Sequence, residues 1–587
     1  MNELNESGPG AAEQTDRGYH HVSMAGVSHL RNAVRVPGFH VAPIEIDRRT
    51  EDLLKRLAVF YYKKDTPCLW ISFMGGTGTG KSTLFNAFCG TSLSQTGVER
   101  PKTGGPIAYA HQNCRVAPDF PFTDVSIDPR DADDFLPGGS VGAPGHLALF
   151  IHHRDEQSHL VILDTPDMDS VEAQNAAAVD AFYLLSDAVV FVTSQDKYAD
   201  EIPYQFLLNI SKDQKPCFLL VNKTHGITKQ EILSPIQSHG AILAENRVWL
   251  IGYHLSGDEG SVLNDPGFSE FAQALSEDLS PERAHKFHAE EQTRRSTAIA
   301  EKAEALTDLI GKERQEATKW VTELGRLYDA ACADLIEAEK ERFTSESRRH
   351  LQSEIRRLFE RYDPLSKPRK VIRRIISLPF QFAGMSLGRR PKRKDALSQV
   401  RRQIDLTPVL ASAERFNRFV LERLSPERKD SPLLKAIHQP DMPLTETEIR
   451  SAMSKEHDKL DRWLEKKFKD LSRRLPTHKR WGIYSTSILW GTLILSFQIV
   501  VGGGFSGLDA ILDSVLAPFI TKGSMELFAY REIKAVAKAL AQQYQEALCS
   551  ILERQKQRYE KALLDLLTKP EDLATLKALQ EEMEAVR

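Results

Sequence analysis

The sequence predicts an α/β domain built on a doubly wound, mostly parallel sheet, followed by a long α-helical bundle or stalk. Three observations carry this expectation. Between residues 66 and 275, short apolar runs alternate with helical stretches, the pattern of strands joined by crossover helices. A glycine-rich loop follows the first apolar run directly, in CLWISFMGGTGTGKST over residues 68–83. Beyond residue 278 the strand signals vanish, and Leu and Ala recur at helical spacing among charged residues.

The chain has 587 residues, too many for a single core, so several domains are expected. Its 77 basic and 81 acidic residues give a net charge of −4, which argues against a dedicated nucleic-acid binder. Six cysteines (Cys68, Cys89, Cys114, Cys217, Cys332 and Cys549) have neither paired nor metal-type spacing. Unpaired thiols in a reducing cytosol are therefore expected, with no zinc site. Residues 1–46 are expected as a disordered lead-in, polar at the start and lacking the parts of a signal peptide. From 47 to 65, the spacing of Leu53, Leu54, Leu57, Val59 and Phe60 predicts a helix that packs on the domain after it.

Gly75, Gly80, Lys81 and Ser82 satisfy G-x-x-x-x-G-K-[ST], with an apolar strand before the motif and the helix former LFNAF after it. Backbone amides from Gly75 through Gly76, Thr77, Gly78, Thr79 and Gly80 are expected to wrap the phosphates of a nucleotide. Lys81 then places its charge on the outer phosphates, the Ser82 hydroxyl holds Mg²⁺, and Thr83, next in the first helical turn, is the last nucleotide-binding residue expected of the loop. A polar segment from Gln95 to Pro106 follows.

The next apolar runs are LALFIHH and LVILDTPD, each of strand length. Asp164 closes the second. A carboxylate at the tip of a buried strand beside a phosphate loop is placed to act on Mg²⁺, directly or through water; a strand-end or helix-cap aspartate is the plainer alternative. Three more runs, Asp187–Ser194, Pro216–Thr224 and Arg247–Ser256, are separated by helical stretches. In such a sheet the ligand lies at the C-terminal strand ends, and all the motif residues fall there.

The ordered elements GGTGTGKST, RPKT, LDTPD and VNKT resemble those of the translation-factor class of GTPases, and DTPDMDS with FVTSQDKYADEIPYQFL is similar to bacterial dynamin-like GTPases. The resemblance covers about a third of the chain. It implies a G domain over 66–275 that binds GTP and Mg²⁺, with a helical stalk and a membrane-binding tip. It also implies a switch threonine that reaches the metal and supports catalysis beside Lys81: Thr103, with Thr96 as rival. Asn222 and Lys223 are implied to shape the base pocket.

Two positions depart from the family pattern. Asp167 stands where the third element, D-x-x-G, has a glycine whose amide contacts the γ-phosphate. His225 stands where the fourth, N-K-x-D, has the aspartate that reads guanine. No glutamine orients water after the third element, since Met168 and Asp169 follow. Slow basal hydrolysis, stimulated by self-association or membrane, is the expectation; Arg100 could supply a charge in trans.

In the remainder, Glu301–Arg361, Arg401–Leu475 and Met525–Leu567 carry helical spacing and are expected to form the stalk, over 278–475, and a C-terminal helix, over 525–587, returning to it. Within the stalk, residues 367–394 hold ten basic and no acidic residues around an apolar middle. An anionic membrane, RNA or a ribosome, and a basic loop with nothing bound are the three readings, in that order. Residues 481–508 contain no charged residue and exceed the roughly 20 needed to cross a bilayer. A membrane-associating segment over 481–520 is expected, through Trp481, Trp490, Leu493, Leu495, Phe497 and Val500, as a re-entrant insertion or a transmembrane helix; a buried bundle core is the rival.

The reading is thus a GTP-hydrolysing dynamin-like protein on the cytoplasmic face of the inner membrane, self-associating through the G domain or stalk. A soluble ribosome-associated GTPase and a nucleotide-gated interaction protein with little turnover are the alternatives.

Overall fold

The computed structural model describes residues 27–66, 68–95, 105–134, 143–169, 173–198, 201–238, 244–253, 259–342, 406–474 and 524–586. The segments 367–394 and 481–520, with the six membrane residues named above, and Thr96, Arg100 and Thr103 lie outside the described residues. The described chain divides into two units. One holds the described residues within 1–34, 44–309 and 568–587, the other those within 35–43 and 310–567.

The first unit contains an eight-stranded sheet: β1 (Leu69–Gly75), β2 (Ile107–His111), β3 (Ser126–Asp131), β4 (His146–His152), β5 (Leu160–Asp164), β6 (Ala188–Ser194), β7 (Cys217–Thr224) and β8 (Val248–Gly252). Their order is β3-β4-β2-β5-β1-β6-β7-β8, with every pair parallel except β2 with β5. Both faces of the central strands are covered, which is why those strands read as continuous apolar runs rather than as alternation. Leu69, Ile71 and Phe73 of β1 enter one core with Leu84 and Phe85 of the helix Lys81–Cys89 and with Phe268 and Phe271 of the helix Pro266–Asp278. Trp70 and Met74 enter the opposite core with Phe182, Leu207 and Ile232 from three other helices.

β2 and β3 were not among the strands expected. β2, IAYAH, is five residues long and wholly buried, so it shows no period. β3, SIDPRD, is largely exposed and carries Pro129, which an edge strand tolerates because one side of its backbone has no strand neighbour among the described residues.

The described part of the lead-in also differs from expectation. In the first unit Val27, Leu30 and Val34 are buried, and the Leu30–Ala33 turn is helical. In the second unit the amides of Gly38, Phe39, His40 and Val41 all donate to the carboxylate of Glu313, at 2.6–3.0 Å. The expected helix at 47–65 runs Pro43–Asp65.

Cys68 and Cys114 form a disulfide, a correction to the expectation of six unpaired thiols. They are 46 residues apart in sequence and meet because β1 begins beside the turn that follows β2, a proximity that spacing does not encode. Just beyond Cys68, the wholly buried Asp187 takes the Lys63 ammonium, the Arg295 guanidinium at 2.8 Å and the Trp70 amide at 2.7 Å. Burial alone would raise this carboxyl; the two cations outweigh it and hold Asp187 well below the usual range.

The second unit is helical. Helices Thr407–Arg423, Glu446–Arg474 and Ser524–Leu564 and the distal part of Pro281–Arg342 share one core, with Leu324, Leu335, Phe416, Val420, Ile551 and Tyr559 at its centre. Buried Trp320 donates its indole N–H to Leu424 O at 2.8 Å. The expected single C-terminal helix is two, and Pro570–Ala585 groups with the first unit rather than with these helices. Among the described residues no helix is long and apolar enough to cross a membrane.

Candidate functional site

Parallel registry assembles the site before any side chain acts. Phe73 of β1 pairs with Asp164 of β5, Gly75 with Val192 of β6, and Ser194 of β6 with Asn222 of β7. The ends of four strands therefore meet around the glycine loop. Glycine is required at two places in it. A Cβ on Gly75 would lie 2.1 Å from Val192 O, and one on Gly80 would lie 2.2 Å from Asn222 Nδ2, at a φ of +91° that side chains avoid.

Past Gly80 the helix Lys81–Cys89 starts at once, turning its first amides and its positive end to the loop. Thr79 folds inward, its hydroxyl donating to Gly76 O at 2.9 Å. Three long side chains tie the loop's carbonyls from outside. Asn222 Nδ2 donates to Thr79 O at 2.9 Å, Lys223 Nζ to Gly78 O at 2.8 Å, and Lys197 Nζ to Thr77 O at 2.9 Å. Asn222 and Lys223, expected at the base, thus hold the phosphate loop. Lys223 does so from a left-handed backbone, φ +56°.

Lys81 and Asp164 are both buried, and their contact is an ion pair of 3.1 Å. The other carboxylate oxygen of Asp164 accepts from Ser82 Oγ and from Ser94 Oγ, each at 2.8 Å. Ser94 was not foreseen. It reaches Asp164 because Asn86 pins the turn after the helix, accepting from the Leu93 and Ser94 amides and donating to Ser94 O. Two serine hydroxyls on a wholly buried carboxylate make a hard-oxygen donor set that fits Mg²⁺. Thr83 lies in the first turn, partly buried.

Burial works against the charge of Lys81, but Asp164 and then Asp167 outweigh it and hold the ammonium above the ordinary lysine range. Asp167 is turned inward, 3.5 Å from Lys81 Nζ. Asp169 Oδ1 accepts the Thr77 amide at 2.8 Å and the Thr77 hydroxyl at 2.5 Å, while Lys197 stands 3.8 Å from its other oxygen. Burial would raise Asp169; the Thr77 donors and then Lys197 hold it below the usual carboxylate range.

At the base side, the His225 amide donates to Gln195 Oε1 at 2.7 Å. Its exposed ring lies 5.0 Å from that of Tyr253, itself 48% exposed. Gln195 and Tyr253 were not foreseen, since nothing in a linear motif marks residues that meet only across β6, β7 and β8.

Residues 70–223 match the family model described as 50S ribosome-binding GTPase. A curated relative from Caldicellulosiruptor sp. (strain Rt8B.4), described as an uncharacterized protein in the xynA 3′ region, is 29% identical over 190 residues, 31% of this chain and 47% of that protein. The chain thus spans about half the length of the curated relative that it matches. Among solved structures it is similar to a member of an oligomerised bacterial dynamin pair, described as a mechanism for the long-range sensing and tethering of membranes. There the identity is 9% and the TM-score 0.37, with 96% of each chain covered. It is also similar to LeoA, a bacterial dynamin GTPase from ETEC, at 12% identity and a TM-score of 0.20, covering 96% of this chain and 97% of that one.

Proposed function

We propose that this chain, whose P-loop GTPase domain precedes a helical unit, is a dynamin-like protein that binds and slowly hydrolyses GTP at a membrane face, its nucleotide state coupled to self-association or stalk movement. The observation that carries the nucleotide reading is the convergence of Lys81, Ser82 and Asp164 on the glycine loop at the end of β1. The loop amides and Lys81 bind and orient the phosphates, and Asn222, Lys223 and Lys197 keep the loop in shape for them. Ser82 and Asp164, with Ser94 behind them, are the residues that would hold Mg²⁺. When bound, that ion neutralises charge on the transferring phosphoryl group. Thr103 is the proposed switch residue.

The membrane reading is supported by the sequence of two stretches, the basic segment 367–394 and the uncharged segment 481–508. Anionic lipid suits the first, at about 1 kcal/mol for each basic residue that reaches the surface.

Two measurements test this. Lys81→Ala removes the charge that meets the outer phosphates, and binding of fluorescent GTP is expected to weaken at least 100-fold, with turnover lost. Flotation with anionic liposomes, with and without GTP, compares the full chain with a variant lacking 481–508. The full chain floats and the variant does not. Failure of both to float would sink the membrane half, and salt-sensitive co-sedimentation with ribosomes would then favour the ribosome-associated alternative.

A further inference from the structure

Among the described residues, the loop that should receive an outer phosphate already faces an equal number of charges of each sign. Lys81, Lys197 and Lys223 supply three ammonium groups to it or to its carbonyls, and Asp164, Asp167 and Asp169 supply three carboxylates. Asp164 belongs to the metal-type cluster with Ser82. The other two do not, and they come from a single turn.

That turn is fastened to the end of β1. The Thr165 amide and hydroxyl both donate to Phe73 O, at 3.2 and 3.0 Å, and the Met168 amide donates to Gly75 O at 3.2 Å. Asp167 and Asp169 are therefore delivered to the loop by a fixed backbone. Each takes a donor that an outer phosphate would use: Asp167 takes the Lys81 ammonium, and Asp169 takes the Thr77 amide and hydroxyl.

We propose that Asp167 and Asp169 are specificity-determining residues that bias this site toward nucleoside diphosphates over triphosphates. A third phosphate must displace or share the donors that these carboxylates hold, and it adds negative charge to a cluster whose described side chains carry no net positive charge. A diphosphate uses the amides nearer Gly80 and the helix start and shares Lys81 with Asp167, but it brings one phosphate fewer against that carboxylate and leaves the Thr77 donors to Asp169. This rests on the nucleotide reading above but concerns the phosphates alone, so it holds for guanine and adenine nucleotides alike.

The test uses the full chain with Mg²⁺, titrated with N-methylanthraniloyl-labelled diphosphates and non-hydrolysable triphosphate analogues of both bases. Asp167→Asn and Asp167→Gly are compared with wild type and with Asp155→Asn, which removes a fully exposed carboxylate elsewhere. Asp169→Asn provides a second, independent site should the Asp167 variants unfold. The wild type is expected to bind diphosphate more tightly. Replacing Asp167 moves the triphosphate-to-diphosphate affinity ratio up about tenfold or more, and Asp169→Asn moves it the same way by less. Asp155→Asn leaves the ratio unchanged. A wild type that prefers triphosphate, or a ratio that does not move in folded variants that still bind, overturns the proposal and leaves the nucleotide reading standing. Failure of every protein to bind any nucleotide overturns both.

Discussion

At the residue scale, the most readable part of the chain is the part whose chemistry is contiguous. Gly75 to Ser82 spell a phosphate loop because loop, charge and metal-type hydroxyl all lie within one turn of chain. Asp164 is legible for a related reason: β5 is an apolar run with a single carboxylate at its tip. Ser94, Gln195 and Tyr253 are not, because their contacts depend on how strands and turns return to the loop. The ties from Asn222 to Thr79 O and from Lys223 to Gly78 O are hidden for the same reason, since only the fold brings these groups together. Another group invisible to the sequence is His152, buried at the end of β4 against Tyr109, with ring centres 4.1 Å apart. Its Nδ1 accepts the Arg154 amide at 3.2 Å, which requires that nitrogen to be unprotonated. Burial first, then the nearby His111, Arg154 and His153, pushes its pKa down to about 4. Between that value and about 6.5, the unfolded chain binds more protons, so stability falls as pH drops through this window. The loss at pH 5 is on the order of 2 kcal/mol. Thermal unfolding of His152→Gln is expected to fall less between pH 7 and pH 5 than that of wild type; an identical slope would assign the acid sensitivity elsewhere.

At the element scale, the strands that were read correctly are those buried on both faces, where a run of four or more apolar residues leaves little choice. β2 and β3 lack that signal, one being short and following a polar segment, the other being a polar edge. The stretch Arg35–Pro43 is a sharper case, because RVPGFHVAP looks like linker and is held as structure. A carboxylate from a helix supplies what a strand partner would have supplied. Glu313 is wholly buried and accepts four consecutive amides, with Gly38 at φ +83° bending the chain around it. Nothing local in the sequence announces this, since the partner lies more than 270 residues away. Buried donors left without an acceptor cost about 1–3 kcal/mol each, though water that enters the cavity recovers part of the loss. Glu313→Ala is therefore expected to destabilise the helical unit by about 3–5 kcal/mol, and Glu313→Gln, which keeps one acceptor oxygen, by about half that. Hydrogen exchange at residues 38–41 reads the effect directly: protection should vanish in the alanine variant, and its persistence would mean that the segment is held by its side chains instead.

At the scale of the whole molecule, the sequence gives the order of the parts but not the borders of the folding units. A G domain at 66–275 follows naturally from the motif span, yet the unit that contains it is assembled from three separate pieces of chain, with residues 27–34 and 568–586 at its two extremes. The closing piece is a genuine component. In the helix Pro570–Ala585, Leu576, Leu579 and Met583 are wholly buried, His29 bonds Asp572 at 3.0 Å, and Tyr61 reaches Glu582 at 3.5 Å. Burial near Glu582 pushes the Tyr61 hydroxyl up to about 12, so this contact stays neutral on the tyrosine side at physiological pH. Three apolar side chains buried at about 2 kcal/mol each give roughly 5 kcal/mol once the compactness of the unfolded chain is discounted. Much of a domain's net stability is of that size. Deleting residues 568–587 from the full chain is therefore expected to lower the melting transition of the G-domain unit by about 10 °C or more. The deletion should also increase exchange along the helix Pro43–Asp65, while the helical unit melts as before. The helix Pro43–Asp65 leads through Lys63 to Asp187 and the start of β1, so nucleotide affinity should weaken together with stability. An unchanged G-domain transition would show that 66–275 folds alone and that the C-terminal helix only rests on it.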